Sequence, residues 1–564
     1  MKRQFLKAGF AGLLISGFLS HAAWSQSDPT GKRRITNTYA ITNATIFASP
    51  GQPGTKATIL FREGVIIGMG PNLSLPKEAQ RIAGDSLFIY PGFIDGASSA
   101  GITKPKDPER PKDFVSSNPP DEIAGITPWR SATDQFSITG NQVDDWRKAG
   151  FTISQVLPDG GMIPGKAAIM ILGNSGSVNV IQENTALAAN FSGARGMYPA
   201  TAAGVIAKFR DVYHNTTLAL DHSRLFASTS GVKRPEMTPT HTAMAAVVQG
   251  QIPVIFKAET DLEARRAIAL QREFGFKLVL AGLDNYETVI DLIKSSGTAV
   301  LIKLQVPDDK AIKNQKSDSV TTATKAQYAR VKEAYDKALK QASLLEKAGV
   351  PFGFSTLDAK PGDAMKALRT MIKNGLTEKT ALAALTTNPA TILGIGKMAG
   401  TIEKGKMANF VISTDSIFKE ESQIKHVVVD GYIFDYEVKK KSVNGDGKTE
   451  NEPAAIAGQW DYTSQTPAGS SGGELIIAKN GVKYTGTITY ADPSGNGKVT
   501  APIKNVSVSG KKLTFQFDVN AGGMSLTVDI TGEITGNAMD GTMSVGQFGS
   551  FPLTAKLTTP SLTL

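Results

Sequence analysis

The sequence predicts a parallel α/β barrel followed by a separate all-β domain. Apolar, strand-like runs alternate with helical patterns across about 300 residues, the size of a (β/α)8 barrel. Residues 437–455 are charged, contain glycine and are almost free of large apolar groups, so they read as a linker. From 456 to 564, short β-rich runs recur at a spacing of roughly ten residues between glycine turns, without helical periodicity. The alternation by itself leaves a doubly wound sheet as the other solution for the larger region.

The elements follow in order. Lys2, Arg3 and Lys7 precede an apolar stretch, Ala8 to Leu19, and then Ala23-Trp24-Ser25. A basic end, a short apolar core and small residues at a cleavage point make residues 1–25 a signal peptide, and the stretch is short for a membrane span. Export to the periplasm or the medium follows as the expected localisation. Ala40–Phe47 and Thr58–Gly68 are β-branched and apolar, which favours strands. Phe151–Leu157, Ala167–Leu172, Pro253–Ala258, Lys277–Ala281, Ala299–Leu304 and Val350–Ser355 are the barrel-strand candidates. Leu262–Phe274, Tyr286–Ser295 and Lys325–Ala348 carry helical periodicity between them. In the terminal domain Glu474–Ile477, Lys483–Thr489, Leu513–Val519, Ser525–Ile530 and Phe551–Leu557 read as strands of a sandwich or small barrel. Trp460 and Tyr462 in its first strand read as core residues in preference to a sugar-stacking platform.

Composition narrows the function. A chain of 564 residues exceeds one hydrophobic core, and 41% apolar with 20% charged residues is ordinary for a globular protein. The absence of cysteine removes disulfides, thiolate metal sites and cysteine nucleophiles. The net charge of +10 is scattered, and no basic stripe is interleaved with aromatics, so nucleic acid is not an expected partner. No membrane span is expected once the signal is cleaved. Gly160-Gly161-Met162-Ile163-Pro164-Gly165-Lys166 fits a phosphate-loop spacing, but Ala167 stands where Ser or Thr would bind magnesium, and the next run is β-like.

Residues 91–99 read Pro-Gly-Phe-Ile-Asp-Gly-Ala-Ser-Ser. This resembles the Pro-Gly-Phe-Ile-Asp-x-His-x-His segment with which amidohydrolase-superfamily barrels place two metal ligands. Leu385-Thr386-Thr387-Asn388-Pro389-Ala390 and Gly400-Thr401-Ile402-Glu403-Lys404-Gly405-Lys406 are similar to the end of the same family. Lys148-Ala149-Gly150-Phe151-Thr152 before the Gly160-Gly161 turn resembles its imidazolonepropionase-like members. The resemblance implies a TIM barrel over 91–399 and a small composite β-domain from 38–90 and 400–436. It also implies a metal held by His-x-His on the first strand, one histidine on each of two later strands and an aspartate on the last.

Those ligands are replaced in this sequence. Ala97 and Ser99 stand at the first pair, Lys257 at the third position, and Ala281 or Gly282 at the fourth. Asp358 is the candidate for the final aspartate, offset by one residue; a helix N-cap or loop aspartate is the alternative for it. Lys257 with Glu259 reads as a catalytic pair or as a structural ion pair. Asp95 and Asp284 are the other carboxylates open to a rebuilt site. Asn409 replaces an aspartate that relatives use in the small β-domain. His214, His222, His241 and His426 lack ligand spacing and read as surface or packed residues.

The expectation is an exported amidohydrolase-like protein without a metal cofactor and without hydrolysis, keeping the barrel mouth for an unidentified small molecule or protein partner. The alternative is an active hydrolase of C–N bonds in amides, cyclic amides or dipeptide-like molecules. It would use Asp358, Lys257 and Glu259 with zinc or another divalent metal, or with none. A third reading assigns the activity to the C-terminal β-domain.

Overall fold

In a computed structural model the chain divides into two compact units, residues 1–439 and 440–564. The structure describes residues 38–438 and 456–560, apart from 107, 139–142, 175–178, 194–195, 310–311, 313–321 and a few turns of the C-terminal unit (467–468, 481–482, 493–496, 510–511, 522–523, 536 and 546–548). The expected signal segment and the body of the linker lie outside the described residues.

The first unit opens with strands β1 (Thr38–Ile46), β2 (Thr55–Arg62), β3 (Val65–Gly70), β4 (Gln80–Ala83) and β5 (Phe88–Pro91). Eight further strands form the barrel sheet: β6 (Phe93–Ser98), β7 (Phe151–Val156), β8 (Gly165–Ile171), β9 (Val180–Asn190), β10 (Val254–Lys257), β11 (Leu278–Leu283), β12 (Ala299–Lys303) and β13 (Phe352–Ser355). Strands β14 (Phe410–Ser413), β15 (Ile424–Val429) and β16 (Tyr432–Asp435) then return to the first sheet, where β14 pairs with β5. Both flanks of the barrel thus build one small β-layer around Tyr39, Ile59, Phe61, Phe410 and Val428.

The barrel is α/β, with a local departure from regular alternation. β6–β7 and all pairs from β9 to β13 are parallel, but β8 is antiparallel to both neighbours. Among the described residues no helix separates β7, β8 and β9, and this third of the barrel is a meander. Glycine-rich connections replace the crossover that parallel neighbours require. Closure comes from β13 against β6. Ser355 Oγ donates to Ala97 O at 2.7 Å, and Thr356 N donates to Asp95 Oδ1 at 3.0 Å. Gly96 permits this approach: a Cβ there would lie 2.3 Å from Leu301 Cδ2 and 3.0 Å from the Phe354 carbonyl.

The strand interior is layered. Ile94, Ile153 and Ile169 pack with Ala390 and Ile395 at the N-terminal ends of β6 and β7. The next layer holds Ala97, Ala167, Ala186, Ala188, Ile255, Val279, Ala281, Leu301 and Leu357. The outer face of the strands packs on helices 202–228, 239–248, 261–274, 290–296, 322–348 and 364–373. The helix over 261–274 illustrates the local logic: Thr260 and Glu263 form a capping box, and Gly275 ends it at φ +76°.

The second unit is one nine-stranded antiparallel sheet, β17 to β25, between Gly458 and Pro560. Its two edge strands, β20 (Lys498–Pro502) and β21 (Lys504–Ser509), are consecutive and joined through Ile503 alone, so the sheet curls into a small barrel. Trp460 is fully buried at its centre, with Nε1 donating to Ile456 O at 3.0 Å.

Among the described residues, no helix is long and apolar enough to cross a membrane.

Candidate functional site

The functional groups of such a barrel gather where the strands end at their C-terminal edge. Here a cavity of about 850 Å3 opens at that edge. Its walls include Ser99 after β6, Pro158 after β7, Asn190 at the end of β9 and Leu357 after β13. Lys257, Glu259 and Asp358 lie in the same wall.

Strand alternation explains how Lys257 arrives there. Ile255 faces the interior layer while Val254 and Phe256 face the outer core, so Lys257, two residues beyond Ile255, follows the inner face up to the mouth. Its ammonium lies 2.5 Å from Asp358 Oδ2 and 3.3 Å from Glu259 Oε1. Burial would depress this ammonium, but Asp358 and Glu259 outweigh it and hold the group above the ordinary lysine value. Lys257 is therefore a fixed cation, not a neutral amine poised for nucleophilic or Schiff-base chemistry.

The three candidates from the sequence are thus brought together, and the Lys257–Glu259 ion pair gains Asp358 as a third member. Asp358 is a loop residue and not a helix N-cap: Lys360 occupies the cap of the next helical turn, over Pro361–Asp363. Ala359 N donates to Thr356 O at 2.9 Å, closing a turn in which Asp358 adopts φ +55°. That left-handed turn leaves Leu357 in the interior layer and Asp358 in the cavity wall beside Lys257.

The remaining carboxylates divide differently. Asp284 lies in the exposed loop after β11, where Asp284 N donates to Glu259 O at 3.0 Å. Asp95 lies fully buried beneath the mouth. Its carboxylate accepts from Thr356 N, from Trp146 Nε1 at 3.2 Å and from the Thr356 hydroxyl. Burial pushes its pKa up to about 7 against the pull of those donors. Asp95 therefore ties the first strand to the last and is closed off from the cavity. Asn409 stays in the small β-layer, its Oδ1 accepting from Asp430 N at 2.7 Å.

The histidines are dispersed. His214 packs edge-on against Phe274, a ring nitrogen of His222 meets Lys233 O at 2.8 Å, and His426 Nδ1 meets Asp435 at 2.7 Å. His241 lies in the first turn of helix 239–248.

A divalent metal, which the resemblance implies, does not fit these residues. Ala97 and Ala281 are fully buried in the apolar layer with Leu357, and none offers a donor. The ammonium of Lys257 repels a cation. Among the described residues, no group of three His, Asp or Glu side chains comes together as a metal requires. The glycine-rich segment after β7 leads into β8, a strand, so the helix of a phosphate loop is missing there.

Sequence reasoning missed the loop between β6 and helix 144–148, which brings Lys104, Lys106 and Arg130 to the cavity. Its signal was positional: any long segment after a barrel's first strand lies at the mouth.

The amidohydrolase family profile matches residues 259–434. Among solved structures, an amidohydrolase from Thermotoga maritima MSB8 superposes with a TM-score of 0.56 at 20% identity, covering 71% of this chain and 100% of that one. A Xaa-Pro dipeptidase with bound methionine gives 0.42 at 16% identity, covering 71% of this chain and 100% of its own. A β-aspartyl dipeptidase from Fervidobacterium islandicum AW-1 gives 0.37 at 14%, covering 73% and 100%. No curated protein matches the sequence. At such identities the structural likeness carries fold alone. Residues 259–434 thus match the amidohydrolase family, within a barrel fold shared with a solved amidohydrolase.

Proposed function

We propose that this is an exported amidohydrolase-superfamily protein that works without a metal and without hydrolysis, using the barrel mouth to bind a small molecule or a protein partner. The observation that carries this is the apolar packing of Ala97, Ala281 and Leu357 next to the Lys257 ion pair. A bound metal lowers the pKa of water from 15.7 to roughly 7, so its loss makes a hydroxide nucleophile on the order of 10 kcal/mol harder to form. Lys257 is held protonated and cannot take a proton from water. The cavity stays open, about 850 Å3, in the range that small ligands fill.

The test is elemental mass spectrometry on residues 26–564, purified without histidine tag or chelator. Metal well below one per chain, unchanged by zinc loading and dialysis, is the expected result. One or two zinc, manganese or iron ions per chain would sink the reading.

A second reading draws support from the convergence of Lys257, Glu259 and Asp358. It is a hydrolase of C–N bonds in which a carboxylate serves as base and Lys257 as electrophile, with an altered metal site or none. A panel of amides, cyclic amides and dipeptides decides it: turnover lost in Asp358→Asn would establish it, and no turnover on any member would end it.

A further inference from the structure

The trio at the mouth has a charge pattern that goes beyond an ordinary surface ion pair. Lys257 is the end residue of β10, Glu259 begins the next loop, and Asp358 comes from the turn after β13. Two carboxylates from separate strands thus converge on one cation at 2.5 and 3.3 Å. Half-exposed and directly above an apolar layer, they share that one positive charge. Asp358 holds its place in a left-handed conformation that is strained for a non-glycine residue, and the ammonium contact helps to hold it there.

We propose that the mouth is a cation site filled by the chain itself: the Lys257 ammonium takes the place of an external cation and positions Asp358 and Glu259. This rests on the reading of the barrel as metal-free. Lys257 is a positioning residue here. An ammonium carries three N–H donors, and the two carboxylates engage two of them. The third remains for an acceptor oxygen on whatever enters the cavity.

Removing the side chain should expose a vacant cation site. Lys257→Ala should melt about one to two degrees below the wild type and recover saturably with n-butylammonium chloride, beyond the response to equal sodium chloride. The wild type should show no such recovery, and Lys257→Arg should stay near the wild-type melting temperature. A Lys257→Ala protein that melts like the wild type, or gains nothing from the amine, overturns the proposal.

Should Lys257→Ala fail to fold, competitive acetylation of lysines read by peptide mass spectrometry decides the question. Asp358→Asn should raise the acetylation rate of Lys257 at pH 8 about ten-fold, because losing one adjacent charge lowers a lysine pKa by about one unit. An unchanged rate overturns the proposal. Stoichiometric metal in the wild type would instead defeat the metal-free reading itself. Hydrolysis by a metal-free wild type would defeat that reading while leaving the cation assignment standing.

Discussion

Asp95 shows how one residue of the Pro91–Ser99 segment serves the closure of the barrel. Its carboxylate is sealed between β6 and the Thr356 turn, with Trp146 as a third donor group. Its folded pKa of about 7 lies above the value of about 3.9 for an unfolded aspartate. Between these values the folded chain holds the proton more tightly than the unfolded chain. The contribution of Asp95 to stability is thus full below about pH 4 and is lost as the pH rises through 7. The span is on the order of 4 kcal/mol, at 1.36 kcal/mol per pKa unit. Urea unfolding of the wild type and Asp95→Asn at pH 5 and pH 8 checks it. The variant should gain relative to the wild type at pH 8, and parallel pH profiles would refute the assignment. Lys257 moves the opposite way from a buried lone lysine, because its two carboxylates outweigh burial. A half-exposed pair of this kind is worth only about 1 kcal/mol in isolation.

The joint between the barrel and the small β-layer depends on a short helix, Asp144–Lys148. Arg147 on it is fully buried. Its Nη1 donates to Gly173 O at 2.5 Å, its Nη2 meets Asp144 at 3.4 Å, and its guanidinium lies 4.4 Å from the Phe434 ring centroid in β16. Arginine is needed because its planar fork donates in several directions while one face lies on an aromatic ring. Arg147→Ala should cost roughly 3–5 kcal/mol, since it strands buried carbonyls and Asp144 together. Arg147→Lys should recover less than half of that. A chemical denaturation series reads both, and a loss below 1 kcal/mol for the alanine variant would show that the joint is held elsewhere. The C-terminal β-unit has its own element-scale anchor in Trp460. Trp460→Ala should cost about 3–5 kcal/mol within that unit.

Across the molecule, the metal question depends on several positions at once. Restoring Ala97→His and Ser99→His returns two imidazoles, yet Lys257 and either Ala281 or Gly282 remain where the resemblance places the other two histidines. Zinc titration followed by calorimetry should show the double variant binding little more tightly than the wild type. Tight stoichiometric binding would mean that the alignment of Lys257 with a ligand position is wrong. The C-terminal unit holds a separate core of Trp460, Leu475, Phe515, Ile530 and Leu553. A fragment of residues 456–564 should therefore unfold cooperatively on its own, as seen in its thermal melt.

The sequence by itself determined the resemblance to amidohydrolases, the α/β character of the larger unit and the β character of the terminal one. Those properties live in local runs: Pro91 to Asp95 is one strand entrance, and Leu278–Ala281 is continuously apolar as a strand buried on both faces is. It also showed that Ala97, and Ala281 or Gly282, offer no imidazole at positions where the resemblance implies metal ligands. Only the tertiary structure decided that β8 runs antiparallel, since a β-like run carries no direction until its neighbours are known. The strand β9 over Val180–Asn190 escaped sequence reading for a related reason: its first half is polar and exposed, and pairing with β8 and β10 fixes it. The convergence of Lys257, Glu259 and Asp358 was likewise beyond the sequence. Roughly a hundred positions separate the partners, and only barrel closure through Ser355, Thr356 and Asp95 brings the last strand beside the first and Asp358 over the mouth.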